Sequence, residues 1–232
     1  FELHLSLSGK DFSVMGMHFK LALYEHQSAG AIEGLCKLLQ KYPSVYQDVD
    51  GIETLEVVIY QPAYGIICDP EKWHPDTRQS ADHSMPYILA TLLRKAFSKK
   101  SSDWGDLILL PDDYNEKAIK DPLTQKIMAK ISIKHGGKDF DSKYPEGIPT
   151  TIKIKHKKAG DIDSSLVMYP FGHAKNTEAD LKQLLHKKFN CLLSGAVNNI
   201  DEIKSKCTNI ARKSNQEVLS MTDFSIIQGE KI

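Results

Sequence analysis

The order in which two hydrophobic periods alternate along this chain most constrains its fold. Apolar residues at every second position mark half-buried strands, and apolar residues at i, i+3, i+4 and i+7 mark one-sided helices. Leu55, Val57 and Ile59 alternate with Glu56, Val58 and Tyr60, so this is a strand, stopped by Gln61-Pro62. Thr150 to Lys155 is a second strand of strong β formers, and Leu166 to Tyr169, closed by Pro170, reads as another. Lys130 to Lys134 alternates in the same way. Ile32, Leu35, Cys36 and Leu39 form one stripe on a helix over 27–41. Met85, Ile88, Leu89, Leu92, Leu93 and Ala96 form a wider stripe over 84–97, where Pro86 is tolerated because the first turn has no use for its missing N–H. A short helix is expected over 112–119, and Asp121-Pro122 reads as an N-cap followed by a first-turn proline. From Lys175 the pattern is helical, with Thr177 and Asp180 resembling a capping box. Two more helical stretches follow over 200–207 and 215–221, the second opened by Ser214 and Glu217. Strands and helices mix here without the regular rhythm of a parallel sheet. The expectation is an α+β fold, a mostly antiparallel sheet with helices packed on it, followed by a C-terminal helical segment.

Composition removes several function classes. Lys+Arg and Asp+Glu both number 30, so there is no basic excess for nucleic acid or for an anionic membrane surface. The run Lys153 to Lys158 alternates and reads as the wet face of a strand entering a turn. No apolar stretch approaches the roughly 18 residues of a membrane span. The four cysteines, Cys36, Cys68, Cys191 and Cys207, form no Cys-x-x-Cys pair, no disulfide framework and no close trio for an iron–sulfur cluster. GxGxxG, P-loop and HExxH patterns are absent. Phe1, Leu3, Leu5 and Leu7 alternate, and a chain that opens in mid-strand is expected to be processed or part of something longer.

Two polar clusters remain. His18 to Ser28 and Thr77 to Tyr87 each precede a helix, where free N–H groups and the positive dipole end favour anions. Lys20 and His26 in the first, and Arg78 and His83 in the second, suit a substrate with several carboxylates. Taken one at a time, these residues read first as capping or supporting histidines and an ordinary surface lysine. His173, at a strand end, reads as either a turn residue or a site neighbour.

Read in order, Gly16-Met17-His18-Phe19-Lys20, Tyr24-Glu25-His26-Gln27-Ser28-Ala29-Gly30-Ala31, Asp69-Pro70, Thr77 to Met85, Asp121 to Thr124, Gly147 to Thr151, Met168-Tyr169-Pro170 and Gly172-His173-Ala174 resemble the MmgE/PrpD superfamily, in particular its 2-methylcitrate dehydratases. The resemblance implies a large all-helical domain and a smaller α+β lid with the active site in the cleft between them. Members run to about twice this length. It therefore implies that residues 1–11 are the tail of the helical domain or a connecting strand. Residues 12–171 would be the lid, and 172–232 helices returning to the helical domain, with the N-terminal helical domain itself missing. The implied reaction is loss of water from 2-methylcitrate to give 2-methyl-cis-aconitate in propionate catabolism, with no metal or other cofactor. The implied partners are a small tricarboxylate, the missing helical domain and a second copy of the chain. The implied compartment is a bacterial cytoplasm or a mitochondrial matrix. Lys20, His26 and Tyr64 match catalytic positions, and His18, Arg78 and His83 are the substrate-binding candidates. Lys20 and His26 stand six apart without the Pro of many relatives, which makes His18 a further candidate for that loop. A cis-aconitate decarboxylase of the same superfamily and a non-catalytic tricarboxylate-binding domain are the alternatives.

Overall fold

Leu55, Val57 and Ile59 are fully buried on one face of β1 (Ile52–Ile59), while Glu53 and Thr54 are exposed. This computed structural model describes residues 16–227. The strand expected over 1–7, the turn after it and the segment 1–11 lie outside the described residues. Among the described residues β1 is one of the two inner strands of a four-stranded sheet of order β2-β1-β3-β4. β3 (Thr150–His156) runs antiparallel to β1, with Leu55 opposite Ile154 and Val57 opposite Ile152, so the buried faces coincide. β4 (Gly160–Asp163) closes a hairpin on β3. β2 (Ile131–His135) runs parallel to β1, so two of the three pairings are antiparallel. The opposite face carries charge, including the Lys134–Glu56 pair at 2.5 Å and Lys155–Glu53 at 3.5 Å.

Helices cover the apolar face. α1 (Ala29–Lys41) packs on β3. It comes close because Gly30 and Gly34 face the strand: a Cβ on Gly30 would stand 2.5 Å from Thr150 Oγ1. The chain then passes through α2 (Ser44–Gln47), β1, α3 (Gln61–Ile67) and α4 (Arg78–Asp82) to α5 (Met85–Lys99). α5 is buried along most of its length and packs against α1, α2, α4, α6 (Trp104–Leu107) and α8 (Pro122–Met128). The Ser84 hydroxyl caps it by accepting from Tyr87 N at 3.1 Å. Beside α5, Lys95 Nζ meets Asp113 Oδ2 at 2.5 Å, and the same carboxylate oxygen accepts from Leu110 N at 2.9 Å. Asp121 caps α8 as its sequence predicts, accepting from Thr124 N at 2.8 Å.

Several expectations are corrected. The helix over 112–119 is broken: 111–114 is a 3-10 turn, and Asn115 Oδ1 caps a separate α7 (Glu116–Ile119) through Ala118 N at 2.8 Å. Leu166 to Tyr169 is no strand. β4 occupies the edge of β3 from Lys153 to His156, leaving Val167 a single bridge to Thr150. Thr177 and Asp180 make no capping box, because Asn176 Oδ1 accepts from Glu178 N and Ala179 N, Lys37 draws Glu178 toward α1, and the helix begins at Leu181. The turn-rich 135–147 contains α9 (Lys138–Asp141), and neither α3 nor β4 was expected.

The chain divides into a unit ending at Leu181 and a second from Lys182. The boundary drawn at Phe171 falls inside the first, where the Glu33 carboxylate accepts from Phe171 N. The second unit contains most of α10 (Leu181–Leu193), α11 (Ile200–Cys207) and α12 (Asn215–Leu219). Asn199 caps α11, and Ser214 with Glu217 forms a true capping box on α12. No described helix is long and apolar enough to cross a membrane.

Candidate functional site

The segment 18–28 is pinned on both sides by main-chain bonds. Phe19 N donates to Gly172 O at 2.8 Å, Leu23 N to Leu109 O at 3.2 Å, and Glu25 N to Asp82 O at 2.8 Å. Leu21, Ala22 and Tyr24 are buried anchors. A 3-10 turn, His26–Ser28, then leads into α1, with the Glu25 carboxylate accepting from Gln27 N at 2.7 Å. This places His18, Glu25, His26 and Gln27 around a cavity of about 280 Å³ whose far wall is Tyr60, Tyr144, Pro145, Gly147 and Ile148. The Tyr60 and Tyr144 rings stack with centroids 4.6 Å apart.

The imidazoles share an environment. The His18 ring centroid lies 5.7 Å from that of His26 and 3.6 Å from that of His173. Burial lowers the pKa of all three, and their mutual repulsion adds to this for His26 and His173. His173 is locked: Nδ1 accepts from Lys175 N at 3.0 Å, so the proton sits on Nε2, which faces Glu146 O at 3.2 Å. Burial pushes the Glu25 carboxyl up, against the opposing pull of the Gln27 N–H, His83 and Lys20. Lys20 is exposed, and its charge acts on both Glu25 and His26. Neutral imidazoles can accept protons near neutral pH, a carboxyl with a raised pKa can donate one, and an ammonium beside them can hold a carboxylate.

The structure thus brings His18, Lys20 and His26 together. Tyr64 does not line the cavity: it sits one turn past Tyr60 on α3, 37% exposed, its ring 6.1 Å from His135. Arg78 is exposed on the first turn of α4, outside the cavity wall. His83 caps the end of α4, its Nδ1 against the Asp82 carboxylate, and reaches the site only through its charge on Glu25. Glu25, Gln27, Tyr60 and Tyr144 were not picked out from the sequence. Tyr60 falls on the polar phase of the β1 alternation, but β1 ends at Ile59 and the turn into α3 swings it inward. Cys36 and Cys68 are buried, and burial pushes both thiols up to about 12, as suits small core residues. Among the described residues no group of three or more His, Cys, Asp or Glu is arranged to hold a metal ion.

Residues 24–210 match the family model described as the MmgE/PrpD C-terminal domain. The comparison with curated proteins gives no match.

Proposed function

Because the chain belongs to the MmgE/PrpD C-terminal domain family, which includes hydro-lyases, we propose that it carries one side of the active site of a 2-methylcitrate dehydratase. The observation that carries this reading is the 280 Å³ cavity, where neutral imidazoles, a carboxyl of raised pKa and the Lys20 charge converge. Eliminating water from a hydroxy tricarboxylate makes three demands: a base for the proton next to a carboxylate, fixed charge for the carboxylate that gains electron density, and a donor for the departing hydroxyl. His26 is suited to the first because burial keeps it neutral. Lys20 is suited to the second. Glu25, which burial tends to protonate, is suited to the third. His18 supports His26 from the same segment. In this reading Tyr64, Arg78 and His83 stay outside the cavity wall, and the α+β unit is a lid that closes on a helical domain and pairs with a second copy.

The test is to assay the full-length protein with 2-methylcitrate and with cis-aconitate, following water loss and carbon dioxide release separately. Dehydration of 2-methylcitrate is expected. Carbon dioxide release from cis-aconitate alone would assign a decarboxylase, and turnover of neither would leave a binding domain.

A further inference from the structure

His18 owes its cover to residues far along the chain. It lies between Met17 and Phe19, which are 48% and 41% exposed, yet it is itself half-buried. The group seated on it is the His173 ring, with centroids 3.6 Å apart and planes tilted by 40°. His173 is buried, and the bond from Phe19 N to Gly172 O at 2.8 Å ties the two segments together beside the rings. His173 is barred from proton chemistry by its own hydrogen bonds. Nδ1 accepts from Lys175 N at 3.0 Å, and the proton on Nε2 is directed to Glu146 O at 3.2 Å. A second proton finds no lone pair unless the Lys175 bond breaks. The charges around the ring oppose it as well. His18, His26 and the Lys175 ammonium disfavour an imidazolium there, against the pull of the Glu146 carbonyl. The Glu146 carboxylate is turned to other partners, Tyr169 Oη at 2.9 Å and Lys175 Nζ at 2.7 Å. The Tyr169 ring packs against His173 with centroids 4.8 Å apart.

The geometry points to His173 as a positioning residue of the site: a proton-locked imidazole whose ring seats His18 at the cavity wall and shields it from water. An imidazolium loses hydration on a covered face, so the seat keeps His18 in its neutral, proton-accepting form. Burial does depress the His18 pKa. His18 is therefore a ring that exchanges protons, and His173 is not. What His18 does in turnover rests on the dehydratase reading above; how it is held does not, and the test keeps the two apart.

The full-length protein, labelled with carbon-13 at histidine Cε1, is titrated by NMR, with single His→Gln variants assigning the signals. Two variants divide the ring from its hydrogen bonds. His173→Asn keeps an acceptor for Lys175 N and removes the ring; His173→Phe keeps a ring and removes the acceptor. In the wild type, His18 is expected to titrate below 6.5, and His173 to keep its neutral signal across the range where histidines ordinarily titrate. His173→Asn is expected to raise the His18 midpoint toward 6.5. It is also expected to lower kcat with 2-methylcitrate at least about fivefold with KM little changed. His173→Phe is expected to leave the midpoint low and kcat within about twofold of wild type. A His173 signal that titrates alongside His18 overturns the lock. A His18 midpoint unmoved in His173→Asn, or raised as far in His173→Phe, overturns the seat. A raised midpoint with unchanged kcat in His173→Asn overturns its part in the reaction. A wild type that shows these midpoints but no turnover overturns the dehydratase reading and leaves the seat in place.

Discussion

Gly172 is the residue through which the fold holds His18 in place, and replacing it by alanine gives a prediction with a built-in scale. Its φ of +88° lies where side chains are strained. Its carbonyl accepts from Phe19 N at 2.8 Å, which ties the 170–173 loop to the segment bearing His18 and Lys20. A Cβ on Gly172 would overlap the Phe19 carbonyl oxygen and stand 3.2 Å from its carbon and 3.3 Å from Leu21 Cγ. The backbone strain costs about 1–2 kcal/mol, the lost hydrogen bond about 1 kcal/mol, and the overlap with main chain about 1–2 kcal/mol. The expected loss is therefore roughly 3–5 kcal/mol. Two other glycines calibrate it. Gly160 has φ +74° with open space around its Cβ position, so Gly160→Ala should cost the strain alone, about 1–2 kcal/mol. Gly65 lies inside α3 with only Gln61 Nε2 nearby at 3.8 Å, so Gly65→Ala should stabilise by about 0.5–1 kcal/mol. Urea denaturation followed by far-ultraviolet circular dichroism measures all three. If Gly172→Ala loses no more than Gly160→Ala, the 19–172 contact does not bear the weight given to it.

On the proposed dehydratase reading, Lys20→Ala and His26→Ala in the full-length protein should each lower turnover at least about tenfold, about 1.4 kcal/mol of transition-state stabilisation, with the circular dichroism spectrum unchanged; wild-type rates in both would remove them from the site. Because burial depresses His18, His26 and His173 below their ordinary 6.5, the folded chain takes up fewer protons there than the unfolded one, so stability falls as pH drops from about 6.5 through the folded values. Glu25 and Glu33, raised from 4.5, act in the opposite sense, their contribution being complete below 4.5 and lost as pH rises through their folded values. Melting temperature against pH should therefore lose part of its acid limb in a His18→Gln/His26→Gln double variant, and an unchanged limb would contradict the assignment. Asp113→Ala strands Lys95, whose ammonium is 2.5 Å from the carboxylate beside α5, and should cost about 3 kcal/mol in chemical denaturation; a loss below about 1 kcal/mol would show the pair to be solvated.

Much of the site was legible because His18, Lys20 and His26 lie within one short segment whose buried neighbours, Leu21, Ala22 and Tyr24, fix it locally. Tyr60 was not, since it meets the cavity beside Tyr144, far away in sequence, and His173 was legible only as a turn residue or a site neighbour. Nothing near His173 announces that its ring will meet His18, and Tyr60 reads as a wet strand residue until α3 turns it.

The sequence by itself determined the elements whose reasons are local. α1, α5, β1 and β3 follow from their hydrophobic period, and α8, α11 and α12 also from caps made within three residues of the helix start. Only the tertiary structure decided how they pair. The parallel match of β2 to β1, the loss of 166–169 as a strand and the meeting of His18 with His173 all depend on which edge or face another part of the chain has already taken. Local period says which face of a segment avoids water, but not which distant partner will cover it.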